Sequence, residues 1–246
     1  MKTFARFAAL LLVLCVFSAC LASCSSDKTK ITAETTGNEA ERNAYFSCFV
    51  NKFDNLNYSV ALAEYVTEDP DDPGKIVPRE TVARLNAKMS EPLHDFDGND
   101  LPAYIDKIDG EHNGENYIAY TFYLFNDGEK ALTYEYNLYT LNTTNGVDKG
   151  VRVQLYKDGE CTTYARTKTD GTGPEPGTVE FMGETTIVKK QVSSFGSGEY
   201  AKFTIVIWIE RNDADTTDDV IGGQFKIDMK INVVGDEEGN PIDFGN

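Results

Sequence analysis

Two runs of acids are the residues whose types and spacing could do chemistry. The first, residues 95–100 (DFDGND) followed by Asp106, offers Asp95, Asp97, Asp100 and Asp106 as hard oxygen ligands for Ca²⁺. Its spacing is close to that of an EF-hand loop, but Asp100 stands where the turn-making glycine belongs and Gly98 falls two positions early. The second, residues 212–219 (NDADTTDD), offers Asp213, Asp215, Asp218 and Asp219. Either set could take Ca²⁺, the only cofactor the sequence gives reason to consider; solvated acidic loops are the default reading of both. Paired carboxylates could also serve glycoside hydrolysis, a geometry that sequence does not place. Covalent catalysis lacks its parts. Only His94 and His112 are available as bases, there is no G-x-S-x-G elbow, and HExxH, the P-loop and the dinucleotide fingerprint are absent. His112 lies between glycines in DGEHNG (109–114), where an exposed turn histidine is expected. These features predict a non-enzyme.

The export signal is clearer than the chemistry. Lys2 and Arg6 precede an uncharged, mainly apolar run, Phe7 to Ala22, too short for a membrane span and typical of a secretory signal. Leu21-Ala22-Ser23-Cys24 resembles the bacterial lipobox, which implies cleavage after Ser23 and lipidation of Cys24; Phe17-Ser18-Ala19-Cys20 is a weaker overlapping version. The expectation is a signal peptide over 1–23 and a protein anchored to the outer face of the cell membrane, with that membrane as its partner through two acyl chains. Residues 24–43 read as a disordered tether, because Ile31 is their only large apolar side chain. Cys15 and Cys20 leave with the signal, and Cys48 and Cys161 remain as a possible disulfide or as two unpaired thiols.

Of 246 residues, 23 are Lys or Arg and 40 are Asp or Glu, a net charge of −17 that moves to −19 when the signal takes Lys2 and Arg6 with it. Such a balance argues against nucleic acid as a partner, because phosphate binding requires a basic surface, and it disfavours anionic headgroups. With 41% hydrophobic residues a sizeable core is possible.

The elements that must position these groups read as β. Residues 224–233 alternate strictly, Phe225, Ile227, Met229, Ile231 and Val233 facing one way. Residues 200–210 alternate at first, then place Val206 and Trp208 opposite Ile205 and Ile207, which predicts cover on both sides of that end. Residues 116–125 are apolar on both faces and predict a central strand. Asp127-Gly128 and Asp158-Gly159 each predict a hairpin, and breaker-rich loops are expected over 68–74 and 170–177. A helix is expected over Arg79–Met89, from Val82, Leu85 and Met89 after Pro78, and a helical turn over Asp215–Ile221. The predicted architecture is a mainly β, antiparallel β-sandwich with one or two short helices, a single domain over 44–246 in which 44–110 could form a small sub-lobe.

Residues 206–213 (VIWIERND) and 218–229 (DDVIGGQFKIDM) resemble the C-terminal region of uncharacterised exported lipoproteins and SipW-dependent-signal proteins of Gram-positive bacteria, distantly similar to the TasA/camelysin family. Residues 101–106, 117–123 and 150–156 match too. Arg211, Ala214 and Thr216 depart from that pattern, which has Gly, Pro and Cys there. The resemblance implies a jelly-roll-like sandwich at the cell surface with a structural, matrix or interaction role, and protein partners or self-assembly. It brings no protease activity, since no metal motif is present to receive one. The physical reading of Trp208 and Glu210 is structural: a strand-end Trp covers the core edge, and Glu210 caps the following loop. The alternative to a structural role is an extracellular module that binds glycan, peptide or Ca²⁺.

Overall fold

Thirteen strands, numbered along the chain, form two facing sheets in a computed structural model that describes residues 44–51, 55–89 and 96–242. The signal, the lipobox at Cys24, the tether, His94 and Asp95 lie outside the described residues. One sheet has the order β11 (Thr186–Phe195), β7 (Leu132–Thr143), β13 (Phe225–Asp236), β1 (Ala44–Val50), β4 (Arg84–Met89). The other runs β10 (Val179–Glu180), β9 (Glu160–Ala165), β8 (Val151–Lys157), β12 (Tyr200–Ile209), β6 (Tyr117–Asn126), β2 (Val60–Asp69), β3 (Asp72–Val82), with β5 (Gly110–Glu111) beside β6. This is the mainly antiparallel β-sandwich that the alternation predicts. Two pairs are parallel, β1 with β13 and β10 with β9.

The core lies between the sheets, where burying apolar side chains from both inner faces provides the main driving force. Phe225, Ile227, Met229 and Ile231 are fully buried, and Val233 nearly so. They share one core with Phe203, Ile205 and Ile207 of β12 and Phe122 of β6 in the other sheet. Strand β6 is central, between β12 and β2, with buried residues on both faces. The residues after 44 supply strands to both sheets: β1 and β4 to one, β2 and β3 to the other.

Asp158-Gly159 forms the expected hairpin, with Lys157 opposite Glu160 and φ of 51° and 87° at the two turn residues. Asp127-Gly128 does not. The strands it joins, β6 and β7, lie in different sheets, so the segment is a crossover. Asn126 organises it, its side chain donating to Lys130 O at 2.9 Å and Phe195 O at 2.8 Å. Gly128 is needed there for a close approach: a Cβ would come within 2.7 Å of the Asn57 and Ser59 backbone. The expected loop over 68–74 is a tight turn between β2 and β3.

The helix expected over Arg79–Met89 is absent. Residues up to Val82 belong to β3, and Leu85, Ala87 and Met89 alternate inward on β4 against exposed Arg84, Asn86 and Lys88. The same apolar residues fit period 2 as well as a helical stripe, and packing on the core decides. Helical structure among the described residues is limited to four 3₁₀ turns, one of them at Asp218–Val220 within the predicted 215–221 turn.

Candidate functional site

Strand β12 ends at Ile209, and Phe96 is laid beside that end. Phe96 and Glu210 form a parallel bridge, and Arg211 N donates to Phe96 O at 2.8 Å. Glu210 then ties three pieces together. Its Oε2 accepts from Trp208 Nε1 at 3.0 Å and from Gly98 N at 3.1 Å. Gly98 rests on the indole so closely that a Cβ would lie 2.8 Å from Cζ2. Asp97 Oδ1 caps the turn at Gly98–Asp100, accepting from Asn99 N at 2.9 Å, while its Oδ2 accepts from Asn212 Nδ2 at 2.6 Å. The two acid-rich loops therefore meet, through Asp97, Glu210 and Asn212.

Beneath them lies a buried ion pair. Arg152 Nη2 donates to Asp213 Oδ2 at 2.6 Å, with side chains 3% and 2% exposed. Charges so far from water are stable only when paired. Asp213 Oδ1 also accepts from Asp215 N at 2.8 Å, which fixes the start of the 213–219 loop.

Above this pair is an open cleft of about 400 Å³, with walls from Asp97–Asn99, from Arg152 and Gln154 of β8, from Glu175–Thr178, and from Trp208, Glu210 and Asn212. Its carboxylates make it rich in acceptors. Gln154 donates from Nε2 to Thr163 Oγ1 at 3.1 Å, and its Oε1 is buried without a partner. An unpartnered buried acceptor costs free energy that a ligand donor could recover. Such a cleft suits a polar ligand that supplies hydroxyl or amine donors.

The remaining predicted ligands are occupied locally or exposed. Asp106 pairs with Lys107 at 2.6 Å, Asp215 Oδ2 accepts from Thr169 N at 2.7 Å, and Asp100, Asp218 and Asp219 are exposed on 3₁₀ turns. Among the described residues no three His, Cys, Asp or Glu side chains converge to hold a metal.

His112 is not a free turn histidine. Nδ1 lies 2.8 Å from Gly110 O and Nε2 2.8 Å from Ile105 O, so the ring staples the 105–112 strap to itself. That strap delivers Ile105 onto Ala119, Val206 and Trp208, the second apolar cluster of the molecule, on the outward face of the eight-stranded sheet. The cover predicted for the far end of β12 is thus present.

Cys48 and Cys161 are free thiols. Cys48 faces the core from β1, and Cys161 is exposed on β9 of the other sheet, beside Tyr156; of the two alternatives the unpaired thiols are the one present, because the two strands place them on faces that do not meet. Burial pushes both thiols above their ordinary range, Cys48 far more strongly.

Sequence reasoning missed Arg152 and Gln154. Their one signal is a polar alternation, Arg152 and Gln154 between Val151, Val153 and Leu155, which marks an outward face but not what covers it.

No family model matches the chain, and no curated protein matches it in sequence. Among solved structures, a β-glucosidase from Kluyveromyces marxianus in complex with glucose is similar at 12% identity and a TM-score of 0.25, over 73% of this chain and 16% of that one.

Proposed function

We propose that this chain is an exported protein held by lipid on Cys24 at the outer face of the cell membrane, and that its β-sandwich acts by binding and not by catalysis. The observation that carries the binding role is the acceptor-rich cleft at the Trp208–Glu210 end, with Gln154 Oε1 buried and unpartnered in its wall. The ligand class is polar, a glycan or an amine-bearing peptide. A matrix role by strand addition, the other reading of the resemblance to TasA-like proteins, meets guarded edges. Strand β3 carries Pro73 and Pro78, β11 carries Lys189 and Lys190 and two register shifts, and β10 has two residues. The edge of β4 is occupied by side chains: Asn113 donates to Lys88 O at 2.7 Å, and Glu111 accepts from Lys88 N at 3.4 Å.

A glycan array followed by calorimetry tests the proposal. The expected result is a saturable polar ligand whose binding weakens in Gln154→Leu; an array and a peptide library without hits would overturn it. Filaments in electron microscopy at high concentration would restore strand addition in its place. Lipidation is checked separately, by whether Cys24→Ala releases the protein from the membrane fraction.

A further inference from the structure

We propose that the outward face of the five-stranded sheet docks an anionic, hydroxylated polysaccharide. This surface is distinct from the cleft and does not depend on the lipid anchor. Strand register builds it in rows across β4, β1 and β13. One row is Lys88, Tyr45, Lys226, and another is Arg84, Phe49, Lys230, so that each places a half-buried aromatic ring between two cations. The row between them is Asn86, Ser47, Asp228. Lys88 Nζ stands 6.0 Å from the Tyr45 ring centroid, and the Arg84 guanidinium stands 5.5 Å from that of Phe49. The two aromatic rows are about 13 Å apart along the strands.

The charge here opposes that of the molecule. Five cations, Arg84, Lys88, Lys189, Lys226 and Lys230, share the face with two carboxylates, Glu135 and Asp228, out of 40 acids in the chain. Both carboxylates are engaged, Glu135 by Lys189 at 3.0 Å and Asp228 by Arg84 at 3.3 Å and by Ser47. Lys88, Lys226 and Lys230 have no carboxylate within ion-pair distance among the described residues. Asn137 and Asn232 lie on the same face, their Oδ1 atoms buried without a partner. Acids beyond the sandwich's ~10 Å thickness are screened at physiological salt.

Donors and cations call for anionic groups, and rings set between them call for sugar rings. A protein interface would need a protruding apolar anchor at its centre, and the one strongly exposed large apolar residue of these strands on this side is Leu141, at the β7 bulge. A membrane surface would gain about 1 kcal/mol from each unpaired lysine and lacks the rings to stack.

The test measures binding of the full chain to immobilised polygalacturonate (acidic and hydroxylated), dextran (hydroxylated only) and polyacrylate (acidic only). Polygalacturonate should bind best. The pair Lys226→Glu with Lys230→Glu should weaken it about tenfold or more, Tyr45→Ala should weaken it while leaving residual polyacrylate binding unchanged, and Arg79→Glu, on β3, should leave it within about twofold. Unchanged melting midpoints show that the variants fold. Equal binding to polyacrylate, or no polygalacturonate binding, overturns the proposal. So does a preference for phosphatidylglycerol over phosphatidylcholine vesicles that disappears in the double variant without polygalacturonate binding, which would assign the face to the membrane.

Discussion

On the eight-stranded sheet the outward residues Ala119, Val206 and Trp208 are sealed beneath Ile105 and the strap that carries it, whereas on the five-stranded sheet Tyr45, Lys226 and Lys230 face outward with no described segment across them. The inner faces of the two sheets are alike, both continuous apolar surfaces of one core. The difference lies in what the chain does between strands. The connection before β6 folds back over its sheet and stays, pinned by His112 and by Glu210. One outward face thereby becomes a second, smaller core with a buried ion pair at its border, and the other remains a surface for water or a partner.

The largest test of this contrast compares two arginines. Arg152→Ala leaves Asp213 charged and 2% exposed and should cost about 3–5 kcal/mol in urea unfolding. Arg84→Ala removes a half-exposed partner from Asp228, which keeps Ser47, and should cost about 1 kcal/mol or less. Equal losses would break the comparison. Next in size is Ile105→Ala, which should cost about 2–4 kcal/mol by opening the small core. The single Trp of the chain reports it directly, since the Trp208 emission should shift to the red as the strap loosens. A change in the core alone, such as Met229→Ala, should lower stability without that shift in the folded state.

Alkaline titration sharpens the comparison further. Burial pushes Tyr136 up to about 12 and raises Tyr120 and Tyr134 as well, with Glu64 adding to the shift at Tyr120. These phenols hold their protons in the folded chain while the unfolded chain ionises near 10.0. Stability is therefore intact below about pH 10 and declines as pH rises from there toward and beyond 12. Absorbance at 295 nm should show these tyrosines ionising with unfolding. The smallest effect is chemical: maleimide should label Cys161 in the folded protein and Cys48 only after denaturation, with no change in stability, as peptide mapping would show.

How much of this was legible follows the range of each interaction. β13 and the first half of β12 could be read residue by residue, because alternation is a local record of which side is dry. The loss of alternation at Val206 and Trp208 even announced the cover, though not its identity. Asp158-Gly159 and Asp127-Gly128 are the same dipeptide with different outcomes. The first joins strands that pair, and the second is overruled because β6 and β7 take interior places in different sheets. The Arg152–Asp213 pair, 61 residues apart, has no local signature at all. Nor does the cationic face: its lysines were visible as the polar side of a strand, but only the register of β4, β1 and β13 sets them in rows around Tyr45 and Phe49.

That register has a bearing on time. Strand β1 has its neighbours in β13 and β4, and Ser47 bonds to Asp228, 181 residues later. Strand β1 thus leaves the ribosome long before β13 and has to wait for it before the five-stranded sheet can close. Closing so long a loop before any of its contacts repay the entropy slows folding. A nascent chain that lacks β13 cannot close the five-stranded sheet, because β13 stands between β1 and β7.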